Sequence, residues 1–314
     1  MNKKDIFYRD KNETLLPSGH ISQESMDSSL LRTDELFEAA DGLSIRNAKR
    51  HRRILFALSM GGMLLTLFFL LYDEAELHGL ILACGVMVLY LFFIRFLARR
   101  LDCHRKYLEY RVLAECLRCR FFLCLAGVRV PVTQILPWSL RQAIPWIPEV
   151  LSSLSGEMPA EKQPVLDQWI RSQKSYHEEA LAKVSLKNRR DGRTAKIVLT
   201  VTILLYIAAL FYELILYRNI ATGEHADLIR AVLKILLGTM SAVTLFTGSY
   251  YGKMSLSQSI DDHKRMIALY EEVEAEKTTK GESEDLLLFL AREFLNENST
   301  WYAYQSKNTP DISL

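Results

Sequence analysis

Cysteine is sparse, soluble sequence comes only in short pieces, and recognisable catalytic motifs are missing; each scarcity excludes a class of protein. The five cysteines, Cys84, Cys103, Cys116, Cys119 and Cys124, fall within an apolar stretch or on what the charge pattern below makes the cytoplasmic side. A disulfide framework is not expected in a reducing compartment. Cys116-x-x-Cys119 has the spacing at which two thiolates share a zinc ion, but no second pair follows. His104 stands twelve residues upstream, and Cys124 sits within the apolar run Phe121-Phe122-Leu123-Cys124-Leu125. Packing thiols are expected, with no metal and no cofactor.

Tyr176-His177-Glu178 has no nucleophile or second carboxylate at a useful spacing, which favours a solvated face over acid-base chemistry. There is no Walker loop, dinucleotide glycine fingerprint or paired metal motif. No enzyme is expected. Lys3 and Lys4 are followed by Asp5, Asp10 and Glu13 without an apolar core, so the N-terminus does not read as a signal peptide and the first apolar stretch is expected in the mature protein.

Apolar sequence, by contrast, is plentiful. Four stretches, residues 54–72, 79–98, 197–217 and 228–251, each run about twenty residues, which at about 1.5 Å per residue matches a hydrocarbon core of about 30 Å. They imply an all-α integral membrane protein with four transmembrane helices in two hairpins. Arg46, Lys49, Arg50, Arg52 and Arg53 precede the first stretch, Arg99, Arg100, Arg105 and Lys106 follow the second, and Lys187, Arg189, Arg190, Arg193 and Lys196 precede the third. The loop Asp73-Glu74-Ala75-Glu76-Leu77-His78 has no cation, and the second outer loop holds only Arg218 and, at its edge, Arg230. The positive-inside rule places both termini in the cytoplasm. The outer loops are too short to fold into a receptor, so any trigger is expected to act from inside.

The organisation read from these patterns is a polar mobile tail over 1–35, an amphipathic and basic approach over 36–53 and a first membrane hairpin over 54–98. A cytoplasmic helical region over 99–196, a second hairpin over 197–251 and C-terminal cytoplasmic helices over 252–314 follow. Beyond Arg99 the second span is expected to continue unbroken to near Gly127, with Tyr107, Tyr110, Leu113, Leu117 and Phe121 on one buried face and Glu109, Glu115, Arg118 and Arg120 on the rest. Six of the eight prolines lie between Pro131 and Pro164; they imply an ordered loop with short helices, held by Trp138 and Trp146. A helix over 161–194 should lead into the third span. Helices over 253–277 and 283–298 should close the chain.

Several segments together resemble the SLATT membrane domains, the SMODS- and SLOG-associating transmembrane effectors of bacterial defence. They are Leu36-Phe37-Glu38-Ala39-Ala40-Asp41-Gly42-Leu43-Ser44, Tyr110 through Arg118 with Phe121-Phe122 and Leu125-Ala126-Gly127, Gln168-Trp169-Ile170-Arg171, Gln173-Lys174-Ser175-Tyr176-His177, Ala291-Arg292-Glu293 and Asn298-Ser299-Thr300-Trp301. The resemblance implies a multi-pass effector of the bacterial inner membrane, a homo-oligomer (a tetramer or another cyclic assembly) that permeabilises the bilayer when a nucleotide signal changes. In many relatives a nucleotide-sensing domain precedes this region. About 35 polar residues stand there instead, so the resemblance implies a nucleotide second messenger or oligonucleotide made by a partner nucleotidyltransferase.

The fourth stretch carries Thr239, Ser241, Thr244, Thr247 and Ser249. The threonines and Ser241 cover an arc of about 200° at about 100° per residue. They suit either a hydrated path or hydrogen bonds between helices. Gly248-x-x-x-Gly252 has the spacing for close helix packing, within a subunit or between subunits. Glu213, the acid well inside a stretch, and Lys234 fall at similar depth; a structural pair and a cation-selecting ring are the two readings. Arg111, Arg118, Arg120 and Arg129 are candidate phosphate ligands for a nucleotide, whereas others, such as Arg189 and Arg190, suit anionic headgroups as well. On this pattern the second hairpin is expected to act and the first to form a lipid-facing frame.

Overall fold

The computed structural model describes residues 28–154, 165–217, 224–254 and 256–307, and every regular element among them is helical. The mobile tail expected over 1–27, Pro159 and Pro164 of the proline-rich loop, and Arg218 of the second outer loop lie outside the described residues. Ten helices run in order: α1 (Ser28–Glu74), α2 (Leu80–Leu101), α3 (Cys103–Leu125), α4 (Val132–Ile135), α5 (Trp138–Ala143), α6 (Trp146–Ser153), α7 (Leu166–Tyr217), α8 (Glu224–Met254), α9 (Leu256–Lys280) and α10 (Glu284–Lys307). Four helical runs, beginning at Ser28, Leu80, Leu166 and Ala226, are long and apolar enough to cross a membrane.

Two compact units make up the chain. The first draws on Met1–Arg50, Cys103–Lys183 and Gln258–Leu314, the second on His51–Asp102 and Val184–Ser257. The division falls inside α1 and α7, whose 47 and 52 residues correspond to about 70 and 78 Å of helix. Each is more than twice the length a hydrocarbon core of about 30 Å needs. No proline lies within either helix to interrupt it.

In the first unit α3 is the central element. Leu113, Ala114, Glu115, Cys116, Leu117, Arg118 and Cys119 are consecutive and all buried, so the helix is enclosed on every side, as a core helix is. This corrects the expectation of a single buried face. Leu286, Leu287, Leu290, Ala291 and Phe294 of α10 bury in the same core, and Trp301 meets Tyr107 edge-on at 5.7 Å. Trp169 of α7 stacks on Phe122 at 5.1 Å, and Tyr270 and Val273 come from α9.

Two further expectations change. Residues 28–35, read as the end of a polar tail, open α1, with Leu30, Thr33 and Asp34 buried. The helix leaving the second span is also broken: Asp102 adopts φ 48° and ψ 40°, ending α2 before α3 begins at Cys103. Aspartate is among the few residues besides glycine that enter this left-handed region readily, and neither glycine nor proline marks the spot. The proline-rich segment does fold as short helices. Pro131, Pro137 and Pro145 each stand just before one, where a missing N–H costs nothing. Trp146 secures the segment, its indole N–H donating to Glu109 Oε2 at 3.1 Å, but Trp138 is 69% exposed and holds nothing in place.

In the second unit α1 packs against both α2 and α8 through glycine. Gly61 lies under Tyr90 and Leu91, Gly62 under the ring of Phe246, and Gly238 under Leu70. The packing window of α1 is 28% buried, against 6% for each of the other three. Within the first hairpin α2 keeps the exposed apolar surface expected of a lipid-facing frame, with Leu82, Leu89 and Phe92 exposed, whereas α1 packs against α8 as well. A Cβ on Gly238 would come 2.5 Å from Leu70 Cδ1, whereas one on Gly85 meets nothing within 4 Å. Gly62→Val and Gly238→Val should each lower the stability of the detergent-solubilised protein by about 1–3 kcal/mol. Gly85→Val should stay within about 0.5 kcal/mol of the parent, as thermal unfolding monitored by circular dichroism would reveal.

Candidate functional site

The centre of the first unit is charged. Glu115 of α3 is buried between two arginines of the same helix: Arg118 Nη1 donates to its Oε2 at 2.6 Å, and Arg111 Nη2 stands 2.6 Å from its Oε1 as a close ion pair. Arg111 also reaches Asp41 Oδ1 of α1 at 3.3 Å. Arg118 donates to Gln173 Oε1 of α7 at 2.9 Å and lies 5.0 Å from the ring centroid of Phe37 on α1. A buried carboxylate needs such partners, since leaving water costs several kcal/mol. The cluster therefore ties α1 and α7 to α3.

A histidine pair extends it. His177 Nδ1 of α7 and His263 Nδ1 of α9 are 2.9 Å apart, a distance that requires one ring to donate and the other to accept. Tyr176 sits edge-on to His177, and Tyr270 lies 5.9 Å from it. Burial pushes His177 down to about 3, helped by His263, Arg111 and Arg118. Burial also lowers His263, with Arg111 adding to that and Asp262 opposing it. The pair is neutral at physiological pH. His177 is thus half-buried in the helix contact, whereas Tyr176 and Glu178 keep the solvated face expected for Tyr176-His177-Glu178. The 86 residues separating the two histidines hid the pairing from sequence reasoning.

The four arginines proposed as phosphate ligands divide into two sets. Arg111 and Arg118 are committed to Glu115 and Asp41, and this withdraws them as nucleotide ligands. Arg120 is held by uncharged groups: its Nε donates to Thr33 Oγ1 at 3.3 Å, its Nη2 to Ser29 Oγ at 3.0 Å and to the Leu154 carbonyl. Arg129 is exposed, and both line a cavity of about 420 Å³. Cys116 and Cys119 are fully buried on α3, and burial, then Glu115 for Cys116 and Cys116 itself for Cys119, pushes their thiols up. Both side chains pack within the apolar core around α3.

In the second unit two of the α8 hydroxyls, Ser241 and Thr244, serve helix contacts. Thr244 Oγ1 donates to the Met240 carbonyl at 2.9 Å and lies 3.0 Å from Thr202 Oγ1 of α7. Ser241 Oγ donates to the Leu237 carbonyl at 2.7 Å and meets the Tyr206 hydroxyl at 3.1 Å. Thr239 Oγ1 is buried without a partner, and Thr247 is half-buried. Among the described residues nothing lies within 4 Å of a Cβ placed on Gly248 or Gly252, so this pair makes no close helix contact with them. The expected Glu213–Lys234 pairing is also replaced. Arg230 donates twice to Glu213, at 2.8 and 3.1 Å, and Lys234 binds Glu74 at 3.0 Å. One helical turn separates the two cations, so depth alone did not distinguish them.

The fold and these sites define a protein, all-helical among its described residues, with four membrane-length apolar helices and a first unit held by buried ion pairs. Against protein-family models, curated proteins and solved structures, the chain has no match.

Glu115→Leu leaves the buried Arg118 without its carboxylate, while Arg111 keeps Asp41, and should cost about 3–5 kcal/mol, whereas Glu115→Leu with Arg118→Met should recover much of the loss; denaturant unfolding in detergent measures both. The histidine pair gives a pH signature. Both rings are depressed in the fold, so the unfolded chain, with histidines near 6.5, binds more protons in the interval below. Stability should hold above about pH 6.5 and fall as pH drops toward about 3. The double variant His177→Phe, His263→Leu should flatten that slope in a series of melting temperatures from about pH 7.5 to 5.

Proposed function

We propose that this chain is a membrane effector of a bacterial antiviral defence system: an oligomeric ion channel or pore, opened or closed by a nucleotide signal from a partner nucleotidyltransferase, whose opening depolarises the cell and arrests growth. It is read as a multi-pass protein of the inner membrane, its spans in two hairpins and both termini in the cytoplasm. One observation carries the reading. The buried cluster of Asp41, Glu115, Arg111, Arg118 and Gln173 joins α1, α3 and α7, and α1 and α7 continue without a break into apolar spans. A signal that rearranges the charged cluster acts on helices that are themselves the spans.

The resemblance to SLATT effectors supports the same conclusion and supplies the biological setting. Either sign of control fits, because a ligand favours whichever state it binds better. In this reading the open face at Gly248 and Gly252 is where subunits meet, and Thr239 and Thr247 line the path together with the second-unit acid Glu213. The alternative is a non-conducting scaffold that anchors a soluble partner. It is favoured by one specific observation: Ser241 and Thr244 use their hydroxyls in bonds to α7.

Purified protein in planar bilayers separates the two. A channel should show unitary currents that change when cyclic or linear oligonucleotides are added to the face bearing the termini, and Glu213→Gln should reduce cation selectivity. A bilayer that stays silent under every ligand, together with expression that arrests growth without depolarisation, would sink the channel and leave the scaffold.

A further inference from the structure

The cavity beside Arg120 and Arg129 is unlike the rest of the first unit. Its walls come from the end of α3 (Leu123, Cys124), the segment 128–133 and α6 (Leu151, Ser152), so one side is aliphatic and two guanidinium-bearing residues line it. At about 420 Å³ it is in the range of small-ligand sites, about 300–1,000 Å³.

Its charge is also unbalanced. Arg111 and Arg118 are matched by Asp41 and Glu115. Arg120, half-buried, has only the Ser29 and Thr33 hydroxyls and the Leu154 carbonyl as partners among the described residues. Those neutral acceptors fix the position of the guanidinium, and no acid among the described residues pairs with it. Arg129, nine residues further on, has no acid beside it among the described residues. Arg120, held in place, and the exposed Arg129, with Thr133 and Ser152 on the same lining, suit a doubly charged tetrahedral anion, and the aliphatic wall of Leu123, Val128 and Val132 suits an uncharged body attached to it.

We infer that this cavity binds a phosphate monoester carrying an apolar or aromatic body of roughly mononucleotide size, with Arg120 and Arg129 as the phosphate ligands. This rests on the reading above, in which the first unit takes the signal, and gives that signal a place. The same phosphate chemistry is available from a soluble nucleotide or from a lipid headgroup such as phosphatidic acid.

Full-length protein in detergent would be titrated calorimetrically with adenosine monophosphate and, separately, mixed with phosphatidylcholine vesicles containing or lacking phosphatidic acid. Binding in either arm supports the site and identifies the source. Arg129→Gln should weaken it about tenfold, and Ser152→Trp should abolish it by filling the cavity. Arg129 is exposed, so Arg129→Gln should melt like the parent, whereas Arg120→Gln would also loosen the tie to α1; the melting temperature of Ser152→Trp is read beside its binding. Absence of binding in both arms at about 1 mM, or binding untouched by both substitutions, overturns the inference. Binding with silent bilayers keeps the site and removes the channel; currents without binding do the reverse.

Discussion

A single carboxylate, Glu115, constrains the first unit more than any apolar contact does. It sits on a helix with no solvent-facing side, so its charge has to be answered from within the protein. Arg118 and Arg111 answer it from the same helix, and each then brings a requirement of its own. Arg118 is satisfied only with Gln173 on α7 and the ring of Phe37 on α1, and Arg111 only with Asp41 on α1. The angular position of two neighbouring helices around α3 is thereby fixed by charge. An aliphatic surface tolerates a helix in several rotations, while a guanidinium that must reach both a carboxylate and an amide does not.

The second unit solves a different problem. Inside a bilayer there is no hydrophobic gain from bringing apolar helices together, and association relies on close packing and hydrogen bonds. Both appear here. Gly61, Gly62 and Gly238 bring α1 against α2 and α8, and the Thr202–Thr244 and Tyr206–Ser241 pairs link α7 to α8. The ion pairs Glu213–Arg230 and Glu74–Lys234 add ties at the span ends. Glycines within a helix are often weak points, yet here they are where the helices meet.

The four spans and the short helices of the proline-rich segment were legible because each rests on a local property: length of an apolar run, or the missing N–H of proline. The enclosure of α3 was not. Glu115 and Arg118 look like a solvated face when one helix is considered alone, since periodicity assigns charge to water and cannot register that a charged pair is satisfied with the help of two other helices. The break at Asp102 was hidden for a related reason, as aspartate enters a left-handed turn without the glycine that usually announces one. The His177–His263 contact and the exchange of partners between Arg230 and Lys234 depend on distances in space that spacing along the chain does not encode.

What separates the arginines of the first unit is the company they keep. Arg111 and Arg118 stand with Asp41 and Glu115, two cations against two anions, and a phosphate arriving there would have to displace a carboxylate that is already desolvated. Arg120 is positioned by hydroxyls and a carbonyl, which orient it without neutralising it. A folded protein that fixes a guanidinium in place while leaving its charge unanswered keeps that charge available to an anion from outside. The sequence presents these arginines as one group, but among the described residues only Arg111 and Arg118 are matched by carboxylates, in the core that holds α1 and α7 in register.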